Sequence, residues 1–349
     1  MRRAVGSLVL ALALLRLLAP PGPVAATPPT GPGQPATGPG GAATPFARSV
    51  ATHVGDPRLG VWLFEPADPL DSAPRAQVDG PRPVLIFLSG CCGDPPLLDS
   101  CPTTCNGAWL DHLARMGDIV VFPIFRGDHD EEDVAAGVRA ALAELAKPGH
   151  APPDLSRVAL FGWSWGGYLA ADYAATAAAN GLPVPAAILL YAPGCGEGCV
   201  LRDLSPVPAA TRLVMVVGTD DDMAGEDGAK QVWAALPQIP AAQRAYVRLV
   251  GDRHGEPPLV TDHTVPGSPD PSDTEAWASL DALDWYGLWR PLDALLTCTW
   301  GGVDCDLALG DSPERTYMGT WSDGVPVTPA VVVPDPGPPL VPPYVREPG

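Results

Sequence analysis

Ser164 is the residue with the clearest chemical signature in this sequence. It lies in Gly162-Trp163-Ser164-Trp165-Gly166-Gly167, directly after the apolar run Val158–Phe161 and before an Ala-rich stretch of helical composition. A G-x-S-x-G pattern between a strand and a helix is typical of a strained turn that lifts a nucleophilic serine above a sheet. Glycine is needed two residues away on either side because side chains there would collide with the turn. A Gly-rich turn that happens to contain a serine is the structural alternative.

A nucleophilic serine needs a base to take its proton and an acid to orient that base. Two candidate groups follow predicted strands: the three aspartates at 220–222 follow the apolar run Leu213–Val217, and His254 follows Ala245–Leu249. The carboxyl ends of parallel strands meet at one edge of a sheet, where active sites are built. We therefore expect these groups near Ser164, with His254 as the base.

Each of these assignments has an alternative. His263, nine residues after His254, is a rival base that could instead pack its own loop. The acidic run at 220–222 could stay solvated or bind Ca²⁺, which prefers carboxylate oxygens. The sequence holds no nucleotide-binding glycine fingerprint, phosphate loop or H-E-x-x-H zinc motif, so we expect neither a cofactor nor a metal ion.

The elements that would position these residues alternate along the chain. Apolar runs predict strands at 61–64, 84–88, 119–122, 158–161, 187–191, 213–217 and 245–249, and helical spacing predicts helices at 109–116, 130–146, 166–180 and 228–236. Strands that alternate with helices imply right-handed crossovers and a mostly parallel sheet covered on both faces. We predict one α/β domain.

The elbow at Ser164, an acid after a later strand and a histidine after the last strand resemble the α/β-hydrolase superfamily. His254-Gly255 followed by Asp262-His263 is similar to dienelactone-hydrolase-like and cutinase-like esterases. The resemblance spans about residues 84–264 and implies an α/β-hydrolase fold. It implies that Ser164 is the nucleophile and His254 the general base.

The resemblance also implies which aspartate orients the base. The family's acid commonly stands three residues after the glycine that ends the strand, which is Gly218 here, so Asp221 is the predicted acid. Asp220 and Asp222 stay open as alternatives.

Two backbone N–H groups should stabilise a developing oxyanion beside the serine. One belongs to Trp165, the residue after the nucleophile. The other is expected from the loop after strand 84–88, where Ser89-Gly90-Cys91 stands in place of the family's His-Gly and donor, so we predict Cys91, with Cys92 as the alternative. Trp163 and His129 are possible substrate contacts, and Trp165 could form an apolar wall of the acyl pocket.

The charge balance excludes some classes of partner. The 349 residues contain 40 Asp and Glu against 21 Lys and Arg, a net charge of −19. An acidic surface repels phosphate backbones and anionic lipid, so we expect no nucleic-acid partner.

Both ends of the chain differ in composition from its centre. A basic start, twelve mostly apolar residues at 4–15 and small residues at 24–26 predict a signal peptide over 1–26. Twelve helical residues span about 18 Å, short of the roughly 30 Å of a bilayer core, so no stable membrane anchor is expected. Removing the three arginines of this segment would take the net charge from −19 to −22. We predict a Pro/Gly-rich mobile linker at 27–45, a folded body at 46–325 and a Pro-rich tail at 326–349.

The cysteines fit an exported protein. The eight fall into three local clusters with even numbers, at 91–105, 195–199 and 298–305. An even count in an exported chain predicts disulfides, here within each cluster.

Taken together, these features predict a secreted or periplasmic enzyme that hydrolyses small or polymeric carboxylic esters. Two alternatives stay open at this stage: a serine peptidase of the same fold, and a catalytically silent binding module that retains the fold.

Overall fold

The computed structural model describes residues 27–56, 58–67, 80–90, 103–126, 129–194, 200–269, 278–340 and 345–346. A nine-stranded sheet forms the centre of this described part of the chain. Its strands lie in the order β1-β2-β4-β3-β5-β6-β8-β9-β10. They are β1 (Arg48–Val54), β2 (Val61–Ala67), β3 (Arg82–Leu88), β4 (Ile119–Pro123), β5 (Pro153–Trp163), β6 (Ala187–Tyr191), β8 (Arg212–Gly218), β9 (Arg244–Leu249) and β10 (Val331–Val332), while β7 (Leu201–Arg202) and β11 (Val345–Arg346) form a separate parallel pair.

The sheet is mostly parallel. Strands β4, β3, β5, β6, β8 and β9 run in the same direction. Strand β2 runs antiparallel to β1 and β4, and β10 runs antiparallel to β9. Every residue of β4 and β6 is buried, as expected for strands covered on both faces.

Helices connect and cover the strands. They are α1 (Thr103–Met116), α2 (Asp130–Leu145), α3 (Trp165–Thr176), α4 (Asp227–Ala234), α5 (Arg290–Gly301), α6 (Cys305–Leu309) and α7 (Pro313–Thr316), with a 3₁₀ turn at Ala241–Gln243 and a π-helix at Leu283–Trp289. Right-handed crossovers place α2 and α3 on one face of the sheet and α1 on the other. The predicted α/β architecture with a mostly parallel, doubly covered sheet is confirmed.

An aromatic cluster fills the core between the central strands and α1. The ring centroids of Phe87 and Phe161 lie 4.4 Å apart, and Trp109 from α1 packs 4.6 Å from Phe161 and 5.4 Å from Phe87. All three side chains are buried. The cluster fixes β3 and β5 side by side, and these two strands lead to the loop at Gly90 and to Ser164.

The spacing of the apolar residues located the central elements and missed others. The run predicted at 187–191 coincides with β6, and the other predicted strands lie within the observed ones. Neither β1 nor β10 was predicted, because β1 has a mixed, half-exposed pattern and β10 is two residues long. Four apolar residues at helical spacing lie along a π-helix that continues into α5: Trp285, Leu288, Trp289 and Leu292.

Both flanking segments make hydrogen bonds with the body. In the segment predicted as a mobile linker, the Gly40 N–H donates to Asp293 Oδ2 at 2.7 Å and the Thr30 N–H donates to Ser322 Oγ at 2.9 Å. In the predicted tail, the Thr328 N–H donates to Asp252 Oδ2 at 2.7 Å and Val331–Val332 joins the sheet as β10. The two segments that composition places outside the folded body therefore contact it at these positions.

One predicted disulfide is present between Cys298 at α5 and Cys305 at α6. Cys105 is also disulfide-bonded. The other five cysteines, and the predicted signal peptide over 1–26, lie outside the described residues. None of the helices in the described ranges has the length and hydropathy needed to cross a membrane.

Candidate active site

Ser164 stands in a strained turn between β5 and α3. Its φ is +56°, a region that a residue with a side chain rarely adopts. Backbone hydrogen bonds hold it there: the Ser164 N–H donates to Tyr191 O at 3.1 Å, and the Ser164 carbonyl accepts from Gly167 at 2.9 Å and from Gly194 at 3.1 Å. Strain of this kind persists only where the surroundings impose it, and it is often found at functional sites.

Close backbone packing explains the glycine two residues after the serine. A Cβ atom on Gly166 would lie 2.2 Å from the carbonyl oxygen of Leu88, the last residue of β3. The helix that follows the serine therefore begins against the end of β3, and only glycine permits this approach.

Asp221 and His263 form a buried pair close to this turn. His263 Nδ1 lies 2.8 Å from Asp221 Oδ2, and the Asp221 side chain is fully buried. Because an ionised carboxylate can only accept, Nδ1 is the donor and Nε2 is left as a proton acceptor. The His263 ring packs beside Trp163, the neighbour of Ser164, with 5.9 Å between ring centroids.

The surroundings of Asp221 keep it ionised. Burial acts to raise the pKa of this carboxyl group, but the hydrogen bonds from His263 and from the Ala224 and Met223 N–H groups outweigh burial, so the pKa lies below its ordinary value. The two N–H groups donate to Oδ1 at 2.9 and 3.0 Å. Asp221 is thus a fixed negative charge aimed at the His263 ring.

His254, the base predicted from the sequence, is not brought to Asp221. Its Nε2 lies 2.8 Å from Asp323 Oδ2, and 39% of its side chain is exposed. Its ring faces Trp321 at 5.9 Å between centroids. The expected pairing of His254 with the acid is therefore corrected, and His263 occupies that position.

A hairpin explains why His254, the histidine that comes first after β9, points away from Asp221. Asp252 and Leu259 exchange two backbone hydrogen bonds of 2.8 Å, so the chain turns back on itself between them and carries His254 toward Asp323. After the hairpin, the Tyr191 hydroxyl donates to Asp262 O at 2.6 Å and Trp163 Nε1 donates to His263 O at 2.9 Å. These bonds hold the second histidine in place.

The other two aspartates of the run have different surroundings. Asp220 Oδ2 accepts from the Thr261 N–H at 3.0 Å and from its hydroxyl at 3.1 Å, which ties the loop after β8 to the segment before His263. Asp222 is exposed.

Over the described ranges, no set of three His, Cys, Asp or Glu side chains is arranged to hold a metal ion.

No protein-family model and no curated protein matches the chain. Solved structures resemble it at low identity. A protein from Klebsiella pneumoniae assigned as a dienelactone hydrolase is 18% identical, with a TM-score of 0.39 over 58% of this chain and 85% of that one. A carboxyl esterase from the fungus Tuber melanosporum is 15% identical, with a TM-score of 0.43 over 65% and 80%. An α/β hydrolase from a deep-sea metagenome library is 17% identical, with a TM-score of 0.41 over 59% and 84%.

The sheet and the turn at Ser164, and not these neighbours, identify the fold. A serine elbow between a strand and a helix of a mostly parallel, doubly covered sheet is the context that the G-x-S-x-G motif requires. The chain has the α/β-hydrolase fold.

In this α/β-hydrolase fold, the backbone around Ser164 offers one candidate oxyanion donor within the described residues. Trp165 is the first residue of α3, where backbone N–H groups have no partner within the helix. Cys91 and Cys92, predicted to supply the second donor, lie outside the described residues. The residue before them, Gly90, does approach the serine: a Cβ atom there would lie 2.6 Å from Ser164 Cβ and 3.4 Å from Oγ.

The predicted substrate contacts have distinct environments. Trp163 is buried at 3% exposure, and its indole N–H donates to the His263 carbonyl, so it holds the backbone of the loop that carries His263. The His129 side chain is 78% exposed, and its Nδ1 lies 3.4 Å from Glu132 Oε2. Trp165 is half-buried, and its Nε1 donates to Asp130 Oδ2 at 2.6 Å, which fixes its ring beside the serine.

The sequence favours His254 over His263, and it indicates neither the close approach of Gly90 to Ser164 nor the contact of Asp130 with Trp165. The turn-forming residues Gly255, Pro257 and Pro258 between the two histidines are a signal that the chain reverses after His254. The sequence holds no comparable signal for Asp130, whose link to Trp165 joins separate elements.

Proposed function

We propose that the chain is an exported serine hydrolase that cleaves carboxylic esters through an acyl-enzyme, with Ser164, His263 and Asp221 as its triad. The observation that carries the proposal is the buried hydrogen bond between Asp221 and His263, beside the residue that precedes the strained Ser164. A nucleophile, a base and an acid that orients the base are the parts that this chemistry needs.

The first half of the reaction forms the acyl-enzyme. Ser164 Oγ attacks the ester carbonyl carbon while His263 Nε2 takes the hydroxyl proton, and Asp221 stabilises the imidazolium that results. The Trp165 N–H, at the N-terminus of α3, and an N–H of the loop after Gly90, predicted to be that of Cys91, stabilise the oxyanion. When the tetrahedral intermediate collapses, the bond to the alcohol breaks and His263 protonates the leaving oxygen.

The second half returns the enzyme to its starting state. His263 takes a proton from water, and the hydroxide oxygen attacks the acyl carbon. Collapse breaks the bond to Ser164 Oγ, which recovers its proton from His263, and the carboxylic acid leaves. Water is the only co-reactant in this cycle.

Export is supported by two features of different kinds. The sequence predicts a signal peptide, and the described part of the chain contains a disulfide between Cys298 and Cys305. Disulfides form and persist mainly outside the cytosol.

The proposed activity is tested by the Ser164→Ala variant. Wild type should hydrolyse nitrophenyl esters of a series of acyl lengths and react covalently with a fluorophosphonate probe, and Ser164→Ala should lose nearly all of both. The matched control is Ser205→Ala, which removes an exposed serine hydroxyl and should leave both unchanged. A wild type that neither turns over esters nor binds the probe would refute the proposal, and faster cleavage of peptide amides than of esters would indicate the peptidase alternative.

Gly90→Ala should slow ester turnover about a hundredfold, because a displacement of reacting groups by about 1 Å costs about that factor. The new Cβ would lie 2.6 Å from Ser164 Cβ and 2.8 Å from Trp163 O, so the loop or the elbow must shift. Steady-state kinetics checks this, with Gly33→Ala as the control, since a Cβ atom at Gly33 meets nothing within 4 Å. Equal rates in the two variants would show that the loop after β3 does not contribute to the site.

A further inference from the structure

Asn106 is a fully buried residue at a break in α1. Its backbone angles, φ −139° and ψ 15°, are not helical, and its side chain has no exposed surface. A break inside a helix leaves backbone groups without their usual partners one turn away. In a buried helix those groups must find other partners.

The loop that follows His263 supplies these partners. The Ser268 N–H donates to Cys105 O at 2.8 Å, and the Ala108 N–H donates to Ser268 O at 2.9 Å. Two backbone hydrogen bonds at the position of the break thus hold the loop that follows His263 against α1.

The Asn106 side chain joins the same loop to the loop after β3. Ser89 Oγ donates to Asn106 Oδ1 at 2.7 Å, and Asn106 Nδ2 donates to Pro266 O at 2.8 Å. Ser89 precedes Gly90, which packs against Ser164, and Pro266 follows His263 by three residues. Because a carbonyl can only accept, the orientation of the amide is fixed, and the amide serves both partners at once, as donor to Pro266 and acceptor from Ser89.

From these contacts we propose that Asn106 is a positioning residue for the reaction. It holds the loop that carries His263 at a fixed place relative to the loop that contacts Ser164. The inference rests on the proposed function, since it concerns the alignment of the same base and nucleophile. Asn106 touches neither reacting atom, and its effect passes through the two loops.

Two serine variants with equal burial provide a matched test. Ser89 and Ser268 both have no exposed surface, but they differ in their hydrogen bonds. The Ser89 hydroxyl donates to Asn106, whereas the Ser268 hydroxyl has no hydrogen-bond partner among the residues that the structure describes. Ser89→Ala should lower kcat about tenfold with KM within about twofold, and Ser268→Ala should leave both constants near wild type.

Variants of Asn106 itself extend the test. Asn106→Asp keeps the shape and the acceptor for Ser89 but cannot donate to Pro266 when ionised, so kcat should fall about a hundredfold. Asn106→Gln retains the amide on a longer side chain, and it should recover part of the rate that Asn106→Ala loses. If the Asn106 variants do not fold, the Ser89 and Ser268 pair decides the question.

A spectroscopic measurement separates positioning from general stability. The proton shared by His263 Nδ1 and Asp221 should give a downfield ¹H NMR signal, assigned by its loss in His263→Ala. Ser89→Ala and Asn106→Asp should shift or broaden it, and Ser268→Ala should not. Unchanged kcat and an unchanged signal in Ser89→Ala would overturn the role of Asn106 and leave the triad intact. Because the signal needs no substrate, it tests the inference even if the chain proves inactive on esters.

Discussion

Replacing His263 with alanine should abolish ester hydrolysis, with kcat falling on the order of 10⁴-fold or more, whereas His254→Ala should retain turnover within about twofold. The reason is the partner of each ring. His263 Nδ1 is bound to the buried Asp221 carboxylate, so Nε2 is a free acceptor, while His254 is half-exposed and bound to Asp323. Steady-state rates on a nitrophenyl ester measure the difference directly.

The comparison controls for the removal of an imidazole, since both variants lose the same chemical group. Thermal unfolding of each variant confirms that the sheet remains folded. The opposite ranking, with His254→Ala inactive and His263→Ala active, would show that the sequence-based choice of base was right and that the loop rearranges when substrate binds.

The second large effect is expected from Asp221→Asn, which should lower kcat on the order of 10⁴-fold. An amide of the same shape would donate its N–H to His263 Nδ1, and the ring proton would then reside on Nε2, where it blocks proton uptake from Ser164. Asp222→Asn, a neutralisation at the exposed neighbouring residue, is the matched control and should stay close to wild type. Equal loss in both variants would point to a general charge effect rather than to orientation of the base.

Asp221 should also contribute to stability in a pH-dependent way. Its pKa is lower in the folded chain than its ordinary value, so its ionised form stabilises the fold above the pKa of the unfolded chain, and this contribution is lost as the pH falls through the lower pKa of the folded state. The difference in unfolding free energy between wild type and Asp221→Asn should therefore narrow as the pH drops below about 4. Denaturant titrations at several pH values measure it, and a constant difference would contradict the assigned role.

Two parts of the molecule, the turn at Ser164 and the central strands, could be predicted because their requirements act over short stretches of the sequence. The elbow could be read from the sequence because one of its steric requirements acts within a few residues: a Cβ atom on Gly162 would lie 2.6 Å from the carbonyl oxygen of Gly166. The central strands could be read because complete burial demands continuous apolar runs, as in β6.

The base could not be settled in the same way, because its position depends on a reversal of the chain. Both histidines follow β9, and the hydrogen-bonded pair of Asp252 and Leu259 decides which one reaches Asp221. Composition does not indicate which contacts the N-terminal segment makes, since a Pro/Gly-rich sequence can bind a folded surface through its backbone. The Gly40 N–H does this by donating to a buried carboxylate.

The attachment of that segment has a practical consequence for anyone preparing the protein. Asp293 Oδ2 accepts from the Gly40 N–H and also lies 2.8 Å from His112 Nε2, in a region closed to solvent. A recombinant version trimmed to begin at Phe46 would leave this carboxylate short of a donor, and burying an unsatisfied charge is costly. A recombinant version should therefore keep Gly40, and shortening it to the predicted boundary at Phe46 should lower the yield of correctly folded material.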